Sequence, residues 1–537
     1  MSSVEAVRAV RSAAQNRQAL DRHPCGLSNS DLLPAPPSDF EKYSYVGRRL
    51  RVLTVASLVS VSCLTLSQLR LFSSAPLLRF FYPFLAFTVL YYLISLWVNL
   101  FSRDFDLSRH QKLVGAWRPD VYPSVDVFLP VCGESVEILH NTWTHVRALA
   151  AHYPGVCEPF VLDDSASPEL RSMADEFGFR YGTRSNLGWF KKAGNLHFGF
   201  EQTHGTYVLI LDADFAPRAD LLHELLPYLA EDERLAIVQS PQYFRVLDAQ
   251  NWIERGAGAV QELFYRAVQV SRQSNDGAIC VGSCAVYRRT ALRENGGTTL
   301  VEHSEDVHTG FDLRSLGWDL RYVPIALSAG VCPDNADSFF RQQYRWCAGS
   351  MSMLCSSKFW RAKMRISSRL CYLSGFLYYI HTALFTFVAP LIPILLLLAF
   401  PDKPSAETLW LVLPSVFYTT TVFPLWHKVP YRLEAWAARM MYGWAHTFAV
   451  WDILRGRQRH VGWQATGSCS AKLSGTKRHR IGMWSWGGGT ALLWVGSAAW
   501  RTLTLDPVNF VMLLSSGLFY AAVVARALLQ PRAMGTP

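Results

Sequence analysis

Apolar segments of membrane length flank one long polar stretch, and this layout constrains the fold of the 537-residue chain most. The six segments lie at 52–66, 80–101, 371–400, 409–426, 483–500 and 508–528. Each can cross a hydrocarbon core of roughly 30 Å at about 1.5 Å per residue, although the first is short. Half of the residues are hydrophobic and 18% are charged, which excludes a purely soluble chain and a wholly membrane-embedded one.

Basic residues beside these segments indicate how the chain is oriented. They cluster before the first segment and at the end of the polar stretch: Lys42, Arg48, Arg49, Arg51, Lys358, Arg361, Lys363, Arg365 and Arg369. By the positive-inside rule, the polar stretch and both termini face the cytosol. We therefore expect a multi-pass protein of the cell membrane. The net charge of the chain is +10, and its basic residues lie largely beside the apolar segments. This placement indicates contact with the lipid bilayer and not with a nucleic-acid partner.

The same layout predicts the domain organisation. Residues 1–45 are predicted to be a disordered cytosolic tail, and 46–103 two transmembrane helices. A cytosolic domain at 104–370 precedes two transmembrane helices at 371–432. Residues 433–482 are predicted to form an amphipathic interfacial helix and a loop, since aromatic residues recur at helical spacing; another span is the alternative. Two transmembrane helices and a short tail complete the chain at 483–537.

The polar stretch carries the pattern of an α/β domain. Apolar runs at 125–131, 160–162, 207–211 and 235–238 alternate with helix-like segments, which predicts a doubly wound, Rossmann-like parallel sheet. Asp163 and Asp212 directly follow two of these runs. Ligands bind beyond the carboxyl ends of the strands in such sheets, so we expect both acidic groups to face one site.

The triplet Asp212-Ala213-Asp214 is a candidate metal site. In an extended run, residues i and i+2 point to the same side, so the two carboxylates can share one hard cation. Mg²⁺ favours one or two protein carboxylates together with substrate phosphate oxygens, so we expect Mg²⁺ or Mn²⁺ bound with a nucleoside diphosphate. A solvated turn or a helix cap is the alternative.

Further residues are candidates for binding the rest of such a nucleotide. Asp163 and Asp164 can accept hydrogen bonds from a base or ribose, and Lys192 offers a cation for phosphate. Gln342, Arg345 and Trp346 combine a forked phosphate binder with a flat surface on which a sugar can stack. The alternatives are a helix cap, an ordinary helix surface and a buried tryptophan.

Glu305 and Asp306 are candidate catalytic residues. Sugar transfer from a nucleotide needs one base, because a metal-bound diphosphate already leaves readily. Glycoside hydrolysis would need a second, protonated carboxyl group. One base with one metal pair favours transfer, and we assign the base to Asp306; a capped, solvated helix start is the alternative.

In this order, the motifs resemble those of the processive glycosyltransferases of family 2, which include cellulose, curdlan, hyaluronan and chitin synthases. The resemblance is strongest at Lys192-Ala193-Gly194-Asn195, Asp212-x-Asp214 and Gln342-x-x-Arg345-Trp346. It implies a GT-A-type catalytic domain that uses a UDP-sugar and Mg²⁺ to extend a β-linked polysaccharide and pass it through the membrane.

The resemblance also implies roles for individual residues. The donor would contact Asp163, Lys192, Asp212, Gln342 and Arg345, and the acceptor would contact Trp346 and Ser283. A gating loop would place Thr466 near the nucleotide. The family's acceptor and gating-loop patterns are only partly kept, at Cys280-Val281-Gly282-Ser283 and at 463–468.

These features favour a UDP-sugar-dependent polysaccharide synthase, with UDP-glucose as the expected donor and partner proteins for export as an open possibility. One alternative is a membrane glycosyltransferase that adds a single sugar to a lipid carrier. A transporter or scaffold with a degenerate nucleotide fold is another. Transporters usually carry ionisable residues within their spans, whereas His381 is nearly the only one here.

Overall fold

The computed structural model describes residues 33–47, 50–100, 102–456, 477–505 and 507–529. A short helix, α1 (Asp39–Lys42), precedes two apolar helices, α2 (Leu50–Ser73) and α3 (Tyr82–Leu100), which pack on each other across a 3₁₀ turn at Pro76–Phe81. The prediction of a disordered tail is wrong for residues 33–45. Lys42 is buried in ion pairs with Asp220 and Glu224, and Tyr45 packs in the core, so this segment is held on the domain.

The strands of the polar stretch form a large and a small sheet. They are β1 (Val125–Val131), β2 (Cys157–Asp163), β3 (Arg180–Gly182), β4 (Tyr207–Ile210), β5 (Phe215–Pro217), β6 (Leu235–Gln239), β7 (Tyr243–Phe244), β8 (Ala285–Arg288), β9 (Asp319–Tyr322) and β10 (Ser328–Gly330). The large sheet has the order β3-β2-β1-β4-β8-β6-β9, and the small one β5-β10-β7.

Helices lie between and after these strands, and several of them pack against the large sheet. They are α4 (Leu107–Ala116), α5 (Val136–His152), α6 (Pro168–Phe177), α7 (Lys191–Glu201), α8 (Leu221–Glu231), α9 (Trp252–Leu263), α10 (Gln269–Ser274), α11 (Arg289–Glu294), α12 (Glu305–Ser315), α13 (Ala336–Leu354) and α14 (Ser357–Arg361). Side chains alternate between two apolar clusters: in β4, Leu209 belongs to one and Val208 to the other. Burial on both faces explains why these strands read as continuous apolar runs.

The predicted doubly wound α/β fold is confirmed, with one difference in strand direction. The strands β3, β2, β1 and β4 run parallel, as do β6 and β9, but β8 runs antiparallel to both β4 and β6. The sheet is therefore mixed and not wholly parallel. Hydrophobic periodicity identifies a strand but carries no information on its direction.

Further helices, most of them apolar, follow the domain. They are α15 (Ile366–Val388), α16 (Leu391–Ala399), α17 (Ala406–Trp410), α18 (Leu413–Phe417), α19 (Phe423–Trp426), α20 (Leu433–Leu454), α21 (Lys477–Met483), α22 (Gly489–Thr504) and α23 (Pro507–Leu528). Within the described ranges, five helices are long and apolar enough to cross a membrane: Leu50–Ser73, Pro76–Leu100, Ile366–Ala399, Ala406–Trp426 and Pro507–Leu528. They coincide with five of the six predicted spans. The sixth, at 483–500, is helical and packs against α23, but it is not among the five and stays a prediction.

The predicted interfacial helix is α20, whereas most of the loop predicted after it, residues 457–476, lies outside the described residues. Helix α20 packs against α9 and α13 of the domain and against the apolar helices α15 and α23. Small buried residues such as Ala437, Ala438 and Ala445 allow these close approaches. The helix therefore joins the domain to the apolar helices, and its position at a membrane surface stays a prediction.

Candidate active site

Nine of the twelve residues predicted to carry chemistry converge at one edge of the large sheet. Asp164 follows β2, Asp212 and Asp214 follow β4, and Glu305 and Asp306 begin α12. One cavity is lined by Asp164, Lys192, Asp212, Asp214, Glu305, Asp306, Gln342, Arg345 and Trp346. Segments more than 180 residues apart in the chain thus share one site, as the rule for the carboxyl ends of parallel strands predicts.

Lys192 lies at the centre of this carboxylate cluster. Its ammonium group forms an ion pair with Asp212, donates a hydrogen bond to the carbonyl oxygen of Gly282 at 2.9 Å, and lies 3.6 Å from a carboxylate oxygen of Glu305. The surrounding carboxylates, Asp212 first among them, raise the pKa of Lys192 well above its usual value despite burial. Lys192 is therefore a fixed positive charge between the candidate metal ligands and the candidate base.

Asp214 and its neighbour Glu134 are carboxyl groups that burial disfavours in the charged form. Burial, together with the charges of Asp212 and Glu134, raises the pKa of Asp214 to about 7. Burial likewise raises the pKa of Glu134 to about 7, although backbone hydrogen bonds oppose the shift. Asp214 has no ion-pair partner within the described residues, so a cation bound beside it would favour its charged form and lower this pKa.

The donor set fits a hard divalent cation that also binds phosphate. Asp212 and Asp214 offer carboxylate oxygens, the ligand type that Mg²⁺ and Mn²⁺ prefer. No group of three or more His, Cys, Asp or Glu residues that could hold a metal occurs in the part of the chain that the structure describes. The remaining ligands of an ion here would therefore be water or substrate oxygens.

Asp306 is enclosed in a way that suits a proton acceptor. Burial, and next the charge of Glu305, raises its pKa to about 7, although Lys192 opposes the shift. Gly282, with a left-handed φ of 73°, approaches so closely that a Cβ atom there would lie 2.8 Å from Oδ2 of Asp306. A carboxyl group with a pKa near neutrality can take a proton at cellular pH.

Gln342, Arg345 and Trp346 share one face of α13, because residues three and four apart on a helix are neighbours. All three line the cavity. Burial lowers the pKa of Arg345 to about 10, and its guanidinium group is held charged by the nearby Glu305. On this helix, Tyr344 donates a hydrogen bond to Asp452 of α20 at 2.9 Å, which fixes α13 against its neighbour.

Asp163 and Asp164 play different parts in the structure. The carboxylate of Asp163 is fully buried and accepts hydrogen bonds from Ser165, Ser167 and Tyr181. It organises the loop after β2 and does not line the cavity. Asp164 does line it, and its two oxygens accept from Nε and Nη2 of Arg184, both at 2.7 Å. The predicted nucleotide contacts of both residues stay predictions.

The two residues assigned by resemblance alone are placed differently. Ser283 is fully buried, and its hydroxyl oxygen accepts a hydrogen bond from the backbone N–H of Asp212 at 2.9 Å. It therefore positions a candidate metal ligand and does not line the cavity. Thr466 lies outside the described residues, and its contact with the nucleotide stays a prediction.

Two residues of the site were not among those predicted. Glu134 lies three residues beyond β1, with its carboxylate accepting from the backbone N–H of Cys132 at 2.6 Å, and Arg184 holds Asp164. The apolar run at 125–131 could have revealed Glu134 by the strand-end rule that pointed to Asp163 and Asp212. Arg184 has no such signal, since it follows the three-residue strand β3.

The cavity continues from these carboxylates between the apolar helices. Its volume is about 2010 Å³. Beyond the carboxylates it is lined by aromatic and polar side chains of α3, α15 and α20, among them Tyr91, Tyr378, Tyr379, Trp436 and Arg439. Flat rings of this kind are suited to contact sugar rings. The fold and the site together define a chain in which a cluster of carboxylates opens directly between membrane-length helices.

Comparisons with known proteins show which family this domain is similar to. Residues 207–423, about two fifths of the chain, match the family model described as "Glycosyl transferase family group 2". The matched region begins at β4, immediately before Asp212, and includes Glu305, Asp306 and the Gln-x-x-Arg-Trp motif of α13. The family resemblance found in the sequence is thereby confirmed.

Similar proteins include cellulose synthases. "Cellulose synthase 1" of Komagataeibacter xylinus is 31% identical over 291 residues, 53% of this chain and 18% of the relative. A "Cellulose synthase catalytic subunit [UDP-forming]" of Xanthomonas axonopodis pv. citri (strain 306) is 31% identical over 49% of this chain and 36% of the relative. The chain thus matches well under half the length of either relative.

Solved structures similar to the chain include a mannosyltransferase from Pyrobaculum calidifontis in complex with GDP-Man and Mn²⁺. It is 16% identical, with a TM-score of 0.44, over 69% of this chain and 98% of that one. The structural likeness is loose, so the family assignment depends on the sequence match.

Proposed function

We propose that this protein is an inverting, processive polysaccharide synthase. It transfers sugar from a UDP-sugar, with UDP-glucose as the expected donor, to a growing β-linked glycan and moves that glycan across the membrane. The observation that carries the proposal is one continuous cavity, which is lined at one end by Asp212, Asp214 and Asp306 and at the other by membrane-length helices. Chemistry and export then share one continuous space.

The donor end of the site is built for a nucleoside diphosphate. Asp212 and Asp214 would hold Mg²⁺ or Mn²⁺, which would supply positive charge to the diphosphate leaving group. Lys192, Gln342 and Arg345 line the same cavity and would bind phosphate oxygens. A bound phosphate would replace Asp212 as the partner of Lys192, and the carboxylate of Asp212 would then be free to bind the cation.

Asp306 would accept the proton of the acceptor hydroxyl. Its pKa of about 7 matches the pH of the cytosol, and neighbouring Glu305 contributes to this by repulsion of like charge. Trp346 would stack on the acceptor sugar, since it lines the cavity on the same face of α13 as Arg345. Attack on the face opposite the leaving group would invert the anomeric carbon.

The relatives support a polymer and a UDP-linked donor. They are named cellulose synthases, and one is described as UDP-forming, which favours polymer formation over a single transfer to a lipid carrier. By the positive-inside rule, the catalytic domain and both termini would be cytosolic, in the cell membrane. Partner proteins would be required for export only where a further envelope layer lies outside.

The size of the product tests this proposal. Purified protein with Mg²⁺ or Mn²⁺ and a panel of UDP-sugars should release UDP and yield a long glycan by size-exclusion chromatography. A β-specific glucanase should degrade the product made from UDP-glucose. Release of UDP with transfer of only one sugar per acceptor would contradict processive synthesis.

A further inference from the structure

A cluster of basic residues lies where the domain meets the third membrane-length helix. The basic segment, residues 357–369, contains Lys358, Arg361, Lys363, Arg365 and Arg369. It comprises α14, a four-residue connection and the first turn of α15, the beginning of the span Ile366–Ala399. Its cations therefore lie beside the end of a membrane-length helix, where lipid headgroups would surround them if that helix crosses a bilayer.

Most of this positive charge is not neutralised by the protein. Lys358 pairs with Asp312 at 2.7 Å, and Arg365 pairs with Asp276. Arg361 and Lys363 are exposed and have no carboxylate partner in the described part of the chain. Arg369 donates only to carbonyl oxygens, at 3.3 and 2.7 Å. At least three positive charges are thus available to an external anion.

Apolar residues on the same segment indicate a lipid surface and not a soluble ligand. The indole of Trp360 is half exposed, and Ile366 is 78% exposed. The indole N–H of Trp360 donates to the carbonyl of Leu354 at 2.9 Å, which fixes the ring in this exposed position. Exposed tryptophan and isoleucine among basic residues are typical of segments that lie in the headgroup layer.

The basic segment is also attached to the helix that carries the candidate base. Phe359 is fully buried and packs against Phe311 of α12, with ring centroids 5.8 Å apart. Lys358 pairs with Asp312 of the same helix. Because α12 begins with Glu305 and Asp306, a change in the position of the segment acts on the helix that places the carboxylates.

We propose that anionic phospholipid headgroups bind to the basic segment and thereby hold α12 in its catalytic position. The occupant is an acidic lipid of the cytosolic leaflet, recognised by Arg361, Lys363 and Arg369 around the inserted Trp360. Neutralising these charges stabilises α14 at the surface, and the contacts of Phe359 and Lys358 pass that restraint to α12. The stimulation of synthesis that follows rests on the function proposed above, whereas lipid binding and the restraint of α12 do not.

The first experiment measures lipid binding to the full-length protein. The protein is reconstituted in nanodiscs of phosphatidylcholine with 20% phosphatidylglycerol and is then extracted with a mild detergent. Native mass spectrometry counts the lipids of each type that stay bound to it. Each basic residue near an anionic surface contributes about a fivefold preference, so Arg361→Gln with Lys363→Gln should lower the preference for phosphatidylglycerol by about 25-fold. The control, Arg234→Gln with Arg293→Gln, removes two exposed arginines elsewhere on the domain. An equal loss in both double variants, or in neither, overturns the site.

The second experiment tests the link to α12 without relying on activity. Amide hydrogen exchange of residues 305–315 should slow about tenfold when phosphatidylglycerol replaces phosphatidylcholine. In Asp312→Asn the lipid preference should remain, because the basic residues are intact, whereas the slowing should be largely lost. Lipid binding without any change in the exchange of α12 refutes the coupling. Wild-type protein that binds lipid and protects α12 but releases no UDP contradicts the enzyme function alone.

Discussion

Asp306→Asn should stabilise the protein while it slows synthesis by several orders of magnitude. Burial, and next the charge of Glu305, raises the pKa of the half-buried Asp306 from an ordinary 3.8 to about 7. A shift of this size corresponds to about 4 kcal/mol of unfavourable free energy in the charged form above pH 7. Asparagine has the same shape as aspartate and carries no charge. We therefore expect Asp306→Asn to remove about half of this unfavourable free energy, roughly 2 kcal/mol.

The pH dependence of this effect has a definite sign. A carboxyl group whose pKa is raised on folding costs nothing while it is protonated in both states. Its cost grows as the pH rises from about 4 to about 7 and is constant above that. Asp306→Asn should therefore raise the apparent Tm by about 2–4 °C at pH 8 and by less at pH 5. Thermal unfolding in detergent, with chelator to remove divalent ions, measures both values.

The same substitution at an ion-paired aspartate gives the opposite expectation. Asp220 is also partly buried, but hydrogen bonds from Arg218 and Lys42 outweigh burial and lower its pKa to about 2. Asp220→Asn should therefore lower the Tm at pH 8.

The rate of UDP release should fall by roughly 10²–10⁴-fold in Asp306→Asn, because asparagine cannot accept the proton. A Tm lowered as in Asp220→Asn, or a rate within tenfold of wild type, would refute the assignment of Asp306 as a buried base.

Three further outcomes test other parts of the site. Asp214→Asn should weaken Mn²⁺-dependent UDP binding by at least about tenfold. The affinity of the wild-type protein for Mn²⁺ should rise from pH 6 to 8, because burial raises the pKa of the Asp214 carboxyl group to about 7. Calorimetry measures both effects. Gly282→Ala should lower the stability by about 1–2 kcal/mol and should also lower synthesis, because the new Cβ would meet the candidate base. The control Gly317→Ala lies at a φ of 96° in open space, so it should lower the stability alone. Trp346→Ala should shorten the glycan, measured by size-exclusion chromatography, with little change in the KM for UDP-glucose.

The sequence predicted those parts of the site that depend on local rules. An apolar run followed by an acidic residue is a local pattern, and it identified the ends of β2 and β4 together with Asp164, Asp212 and Asp214. Helical spacing likewise predicted that Gln342, Arg345 and Trp346 share a face. In each case a few consecutive residues determine the element and which residues lie at its end or on its face.

Contacts between distant segments could not be predicted in this way. Lys192 was expected to bind phosphate, but its position between Asp212 and the carbonyl of Gly282 joins residues 90 positions apart. Asp163 was chosen by the same rule as Asp164, yet its oxygens are used by Ser165, Ser167 and Tyr181. Residue type and position indicate which groups lie near the site, whereas the hydrogen bonds of the folded loop decide which of them face the ligand.

The direction of β8 shows how one unpredicted feature can determine a site. In the antiparallel pairing, Ala285 at the start of β8 lies opposite Ile210 at the end of β4. The residues just before β8 therefore lie beside those just after β4, which places Ser283 against the backbone of Asp212 and Gly282 against Lys192. In a wholly parallel sheet the start of β8 would lie at the opposite edge, and neither contact could form. The reversed strand thus builds the wall between the candidate metal ligands and Asp306.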